Sequence, residues 1–449
     1  MVVGIDLGSS AVKGSCFDLT AMSTGREEAV DCALIHPREG WVEHDLACLE
    51  AALRQVLTVA PRGASVGFAS AMHALVYLDG RGRPLGDAIS WADQRSAEDA
   101  RWLVSRDPEA AIRTGTPLHP MAWPAKLRWA RRQDWWPRVA RVTDLKSYLW
   151  ERVVGEVAPL DPSSASGTGL RAVGEAEWDW ELLERLEIEA SLLPEVRAGH
   201  RASWRGLELF LGGADGPLGN LGLGAVVEGR TAVSVGTSGA VRQFRSRPDR
   251  VRDGLFLYAL DTLGWVEGGA ISNGGSVMEW LGEKSGGLDP TEISRCAYAV
   301  AAGAGGLRVY PYFQGERAPF WRTGVESLVV GSYDDFGTLA RATLEGVAFC
   351  LRRLLDMLGP GEEPLRCTGG MFSSDGWSQL LADVSGRPVG LGAIDQATAL
   401  GAALLTRPDA LELSRGLPLS RVIEPDPAAS ALYEELYQVW AQGDPAGQR

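Results

Sequence analysis

The sequence predicts an α/β protein of two similar lobes, and three observations carry that prediction. First, one short pattern occurs twice. Near the start the chain reads Val2-Val3-Gly4-Ile5-Asp6-Leu7-Gly8-Ser9-Ser10-Ala11-Val12-Lys13, and much later Thr231-Ala232-Val233-Ser234-Val235-Gly236-Thr237-Ser238-Gly239-Ala240-Val241-Arg242. Each copy is an apolar β-type run, a small-residue turn carrying hydroxyls, and a second apolar run with a basic residue. That spells strand, tight turn and return strand, not a strand running into a helix. Second, roughly the first 225 residues alternate strand-like and helix-like segments, as an α/β lobe does. Third, 449 residues suffice for two domains with a core each. The boundary falls near Val226, giving lobes 1–225 and 226–449.

The elements follow in order. Val2–Leu7 opens the first hairpin, and Leu46–Val59 has helical spacing of apolar residues. Val66–Ala71 and Leu75–Leu78 read as short strands, closed by the turn signal Asp79-Gly80-Arg81-Gly82. Trp123–Ala130 and Thr143–Trp150 read as amphipathic helices, the second capped by Thr143 or Asp144. Gly212-Gly213-Ala214-Asp215-Gly216 breaks the pattern before the second hairpin. In the second lobe Ser276–Leu281, Phe336–Leu358 and Trp377–Val384 are helix candidates and Gly306–Val309 is strand-like; the tail from Asp444 is expected to fray.

Composition narrows the function. Hydrophobic residues at 45 % and charged residues at 23 % fit a soluble globular protein. A net charge of −14 argues against a nucleic-acid or anionic-membrane partner, though a few local basic groups can still bind a small anion. Neither a secretory signal nor a membrane-length apolar run is present, so the expected compartment is the cytoplasm. The six cysteines (16, 32, 48, 296, 350 and 367) show no C-x-x-C spacing and are expected as buried free thiols. Five scattered histidines form no metal-ligand pattern.

A turn of the doubled kind presents backbone N–H groups and hydroxyls to an anion. Two such turns suggest two lobes sharing one phosphate chain, which implies phosphoryl transfer. Asp6 beside the first turn suits a hydrated magnesium ion. Neither G-x-x-x-x-G-K-[ST] nor G-x-G-x-x-G follows the first strand, so nucleotide use rests on the hairpin pair. Asp215, between glycines before the second hairpin, suits a general base that accepts the proton of an attacking hydroxyl; an Asx-turn residue is the ordinary alternative. Met72-His73 follows a strand end, where α/β lobes bind ligands. Trp91-Ala92-Asp93-Gln94-Arg95 gathers the donors, acceptors and aromatic plane a polyol would need. Gly369-Gly370-Met371-Phe372-Ser373-Ser374 suits adenine or ribose lying against backbone, and equally a plain loop. Gly315-Glu316-Arg317-Ala318-Pro319 is a charged turn flanked by aromatics.

With these segments in order, the chain resembles the FGGY carbohydrate kinases of the actin-like ATPase superfamily, from Val2 to about Leu405. Gly40-Trp41-Val42-Glu43-His44-Asp45 and Met72-His73 are shared with xylulokinase-like members, and Gly315–Pro319 with Thr368-Gly369-Gly370 completes the pattern. Three stretches lean towards the gluconokinase group: Thr114 through Met121, Asp215 through Gly222, and Ser234 through Arg242. The resemblance implies two ribonuclease-H-like lobes closing on ATP–Mg²⁺ and an open-chain sugar. By motif position Asp215 would be the base and Asp6 the magnesium organiser. Ser9, Ser10, Lys13, Gly236 and Thr237 would contact phosphates, with Gly275 also on the nucleotide side, and Gly370 and Ser374 would lie near the adenosine. Met72, His73, Asp93 and Met121 map to the sugar side. The chain departs from the pattern at Ser9-Ser10, where a threonine is common, at Gly216, where relatives often carry a sugar-binding amide, and in its shortness.

The reaction implied is ATP-dependent phosphorylation of D-gluconate at its 6-hydroxyl, with Arg95, Lys146 and Arg317 as candidate partners of the substrate carboxylate. The rivals are another sugar or polyol kinase, such as one for xylulose, and a non-catalytic ATP-binding regulatory relative. Exposed apolar surface on the second lobe could support a homodimer.

Overall fold

Both repeated hairpins fold as their sequences read. In the computed structural model, which describes residues 2–175, 177–248 and 250–447, Val2–Leu7 (β1) pairs antiparallel with Ala11–Asp18 (β2). The chain groups into two compact units. The first takes the residues up to Val226 together with Arg245–Val266 and Gln396–Leu417; the second takes Val227–Phe244, Glu267–Asp395 and the chain from Pro418.

In the first unit β1 and β2 are joined by Ser23–Asp31 (β3), Ser65–Ser70 (β4), Arg201–Trp204 (β5) and Leu207–Ala214 (β6), in the order β5-β6-β4-β1-β2-β3. β4 runs parallel to both β1 and β6, while β2, β3 and β5 run antiparallel to their neighbours. Leu46–Val56 (α1) puts Leu46, Leu49, Ala52, Leu53 and Val56 into the core at helical spacing, and Asp45 caps it by accepting from the Cys48 amide. The helix stops short of the predicted Val59, tightening into a final 3₁₀ turn over Leu57–Val59. Trp123–Ala130 (α2) forms as predicted, and Asp144 rather than Thr143 caps the helix Leu145–Val154. The apolar helix Ala397–Leu405 lies on the sheet at backbone contact: a Cβ on Gly4 would stand 1.7 Å from the Ala399 carbonyl oxygen, and one on Gly67 1.9 Å from that of Ala402.

The second unit repeats the topology. Thr231–Val235 (β7), Gly239–Arg245 (β8), Gly264–Ile271 (β9), Leu365–Thr368 (β10), Val389–Gly392 (β11) and Leu419–Ile423 (β12) take the order β9-β8-β7-β10-β11-β12. Again the hairpin β7–β8 is antiparallel, β7, β10 and β11 run parallel, and the last strand is antiparallel. The sequence duplication is thus a duplication of sheet order. The long helix Phe336–Leu358 forms over the predicted residues, with Asp335 as its cap.

Two expectations are corrected. The tail does not fray at Asp444: that residue is buried, accepts from the Tyr312 hydroxyl at 2.8 Å and pairs with Arg353, so a buried ion pair fastens the chain after the helix Pro427–Gln442. Cys32 and Cys48 are not free thiols. The end of β3 and the first turn of α1 bring their Cα atoms to 6.0 Å, within disulfide reach, and the two are bonded; Cys16, Cys296, Cys350 and Cys367 are free. Among the described residues no helix is long and apolar enough to cross a membrane.

Candidate functional site

Parallel strands in register end at one edge of a sheet, and ligands of such sheets gather there. Leu7 of β1 and Ala214 of β6 both lie level with Ser70 of β4. The segments that leave these three strands are therefore neighbours: the Gly8-Ser9-Ser10 turn, Ala71-Met72-His73, and Asp215. Lys13 sits opposite Asp6 in the β1–β2 register and is exposed, as is Ser10. The Ser9 hydroxyl accepts from the Trp91 indole at 3.0 Å, which holds it at the turn.

The glycines around Asp215 predict a break in regular structure, yet Asp215 is the first residue of the helix Asp215–Gly222. A bulge at Gly212 (φ 75°) shifts the β6 register, pairing with β4 resumes at Gly213 and Ala214, and the chain then turns at once into the helix. The carboxylate accepts from the Gly216 amide at 2.8 Å, in the first helical turn where the peptide dipoles favour a negative charge. Asp6 is half-buried as a residue, but its Oδ1 is out of reach of solvent and has no hydrogen-bond partner. Burial first, and then the charge of Asp215, push the Asp6 carboxyl up to about 7, with Lys13 pulling the other way. An orphaned carboxylate oxygen within electrostatic reach of a second carboxylate is a donor set that a hard divalent cation or one of its waters would satisfy, so these residues fit magnesium.

Met72 and His73 are half-buried on the neighbouring segment. His73 has φ 66°, a left-handed conformation that is costly for a residue with a Cβ, and its Nδ1 lies 2.7 Å from the Gly167 carbonyl oxygen. That carbonyl ends the short helix Pro162–Gly167 (α3), started by an Asp161 cap and Pro162. The same helix reaches the Asp215 segment, because the Ser163 hydroxyl accepts from the Ala214 amide at 3.1 Å. Sequence reasoning missed α3 as the element holding both segments; the Asp-Pro start was its visible signal.

The other sugar-side candidates lie deeper. Met121 is buried. Asp93 is 0 % exposed and its oxygens accept from the amides of Val42 and Arg95 and from the Arg95 guanidinium. Two of the three cations proposed for a substrate carboxylate are already committed. Arg95 pairs with Glu43 at 2.6 Å and Asp93 at 2.8 Å, beneath the ring of Trp41. Lys146 pairs with Asp161 and is equally buried. Arg317 belongs to the second unit and donates to the Ile271 carbonyl at 2.7 Å.

In the second unit the β7–β8 turn leaves Gly236 and Thr237 exposed. Their carbonyls are gripped from behind: Gly275 donates to Gly236 at 2.6 Å, and Gly274 and Ser276 donate to Thr237 at 3.0 Å. A Cβ on Gly274 would come 2.5 Å from the Ser238 oxygen, so the close approach needs glycine. A cavity of about 490 Å³ opens here, within the range of small-molecule sites. Gly236, Thr237, Gly275 and Gly370 line it on one side, with Met278, Leu288, Pro290 and Met371 as apolar wall and Glu279 as a carboxylate. Ser374 is not among the lining residues; its hydroxyl caps the helix Asp375–Ser385 by accepting from the Trp377 amide.

Comparison with known proteins decides the family. The N-terminal domain of the FGGY family of carbohydrate kinases matches residues 1–203, and its C-terminal domain matches residues 231–407. The chain belongs to the FGGY family of carbohydrate kinases. The fold is that of the family's solved members, two ribonuclease-H-like α/β lobes of the actin-like ATPase kind. The FGGY chain is 29 % identical to the gluconokinase of Bacillus subtilis over 446 residues, covering 90 % of this chain and 86 % of that one. Two solved structures from Lactobacillus acidophilus, a gluconate kinase and a ligand-bound xylulose kinase, each superpose with a TM-score of 0.90 at 26 % identity. They cover 98 % of this chain and 96 % and 97 % of their own. It is therefore a sugar kinase, a phosphotransferase with an alcohol group as acceptor.

Proposed function

We propose that this FGGY kinase transfers the γ-phosphoryl group of ATP to the 6-hydroxyl of D-gluconate, giving 6-phosphogluconate and ADP. The observation that carries the transfer is the placement of two carboxylates at the same edge of the sheet, Asp6 near the end of β1 with a buried, unpartnered Oδ1 and Asp215 just past the end of β6. Asp215 accepts the proton of the attacking hydroxyl from its place in the first turn of the helix that follows β6. Ser9, Ser10 and Lys13 hold phosphate oxygens from the first hairpin, and Gly236 and Thr237 from the second; Lys13 stabilises charge developing on the transferred group. Asp6 would hold a hydrated magnesium ion, which when bound neutralises charge on the phosphates. Met278, Leu288, Pro290 and Met371 offer an apolar wall for the nucleotide base. The gluconate reading is supported by the gluconokinase relatives and by the three stretches shared with that group.

One observation favours a second reading. With Arg95 and Lys146 committed to buried ion pairs, two of the three proposed carboxylate partners are spent. A neutral open-chain sugar such as xylulose needs no such partner. A coupled ADP-release assay with ATP–Mg²⁺ over gluconate, xylulose, ribulose, glycerol and fuculose separates the two. Selective turnover of gluconate supports the first reading, and turnover confined to neutral sugars removes it. Asp215→Asn should lower turnover by roughly 10²–10⁴-fold; near-normal turnover would take Asp215 out of the base role.

A further inference from the structure

Lys126, on α2, is 0 % exposed, and among the described residues no carboxylate lies within ion-pair distance of it. Its Nζ instead donates to the carbonyl of His73 at 2.7 Å, with the Ile89 carbonyl at 3.4 Å. A buried ammonium held only by neutral carbonyls is costly, and an apolar residue of the same length would fill the space more cheaply. The cost is visible in the titration: burial pulls Lys126 down to about 7, against the attraction of Asp93 and with the repulsion of Arg95, and His44 feels the same charge.

The carbonyl that receives this bond belongs to the strained residue of the site. His73 is left-handed at φ 66°, and such a conformation persists only where the surroundings hold it. The next carbonyl, that of Ala74, accepts from the Trp123 indole of the same helix at 3.2 Å. Helix α2 thus offers two side chains to two successive carbonyls of the Met72-His73-Ala74 turn. The Tyr77 hydroxyl, donating to the Lys126 carbonyl at 3.0 Å, ties the helix back to the strand that leaves the turn. We propose that Lys126 is a positioning residue, which fixes the His73 backbone so that the Met72-His73 turn keeps the shape that receives the acceptor sugar. This rests on the reading of Met72-His73 as the acceptor side. A purely structural lysine would set stability alone; a positioning lysine sets acceptor affinity through His73.

The test compares wild type, Lys126→Met, Lys126→Gln, His73→Ala and the double variant Lys126→Met/His73→Ala. Thermal unfolding reports folding, and steady-state kinetics vary acceptor and ATP separately. Lys126→Gln is a second route should the Met variant not fold, because its amide nitrogen stops roughly one bond length short of the lysine Nζ. The acceptor KM is expected to rise roughly tenfold in either folded variant, the worth of one hydrogen bond. The ATP KM should stay within about twofold, and Lys126→Met should raise the acceptor KM by less in the His73→Ala background than in wild type. A folded variant with an unchanged acceptor KM, while His73→Ala raises it, overturns the assignment. So does an independent, multiplicative effect of Lys126→Met on top of His73→Ala. If His73→Ala itself leaves the acceptor KM unchanged, the acceptor-side reading fails and takes this assignment with it.

Discussion

Replacing Arg95 by methionine tests whether its guanidinium serves the fold or a ligand. From sequence it is a candidate partner for a substrate carboxylate. In the fold its side chain is 4 % exposed, its guanidinium spans Glu43 at 2.6 Å and Asp93 at 2.8 Å, and it lies 3.7 Å from the centre of the Trp41 ring. Arg95→Met keeps the length of the stem but leaves Asp93, itself 0 % exposed, as an uncompensated buried carboxylate. Removing one partner of a buried pair costs about 3–5 kcal/mol, and losing the stacked cation adds roughly 1 kcal/mol. For a unit of this size that is a drop in Tm of roughly 10 °C. The assay is thermal unfolding followed by kinetics at a temperature where the variant stays folded. The Tm should fall, and the KM values for a carboxylate-bearing and a neutral acceptor should move together. An unchanged Tm with a KM rise confined to the sugar acid would refute the structural account and restore Arg95 as a ligand residue.

Three further outcomes are expected. His44 is buried, and its pKa is lowered to about 4 by burial and by the Lys126 charge. The unfolded chain therefore binds more protons between about pH 6.5 and pH 4, so about 3 kcal/mol of stability held above pH 6.5 is lost on acidification through that window. His44→Gln should flatten the fall of Tm over this range, and an unaltered slope would remove His44 as its source. Gly4→Ala would press a methyl into the backbone of the helix Ala397–Leu405 and should cost about 3 kcal/mol in denaturant unfolding; a loss below about 0.5 kcal/mol would mean that the helix does not lie on β1 in this way. The Cys32–Cys48 bond closes a loop of sequence separation 16, so Cys48→Ser should lose about 3 kcal/mol, and four thiols should titrate in the unreduced, denatured protein; six would show the bond absent.

Much of the architecture was legible because it is encoded locally. An apolar run, a hydroxyl-bearing turn and a second run specify a hairpin with little help from the rest of the chain, so β1–β2 and β7–β8 could be read directly. Helices with periodic apolar faces, such as Phe336–Leu358, were legible for the same reason. What escaped was set by partners distant in sequence. Asp215 has glycine neighbours, which read as a loop, yet packing of its segment against the helix Ala397–Leu405 favours a helical turn that local propensity opposes. Cys32 and Cys48 meet only because α1 returns beside the end of β3.

The charged residues show the same division more sharply. Asp93, Arg95 and Lys146 carry the groups a polyol or a carboxylate would want, and composition cannot say that they want each other instead. Each is buried with a counter-charge found 2 to 52 residues away, so the cheapest fate for the charge is internal pairing. Lys126 is the counter-case, a buried cation that donates to a backbone carbonyl and, among the described residues, has no carboxylate within ion-pair distance. Pairing explains the first three without any ligand. A lysine that spends its burial on the carbonyl of a strained His73 has no such explanation, and the shape of the Met72-His73 turn is what its donor bond secures.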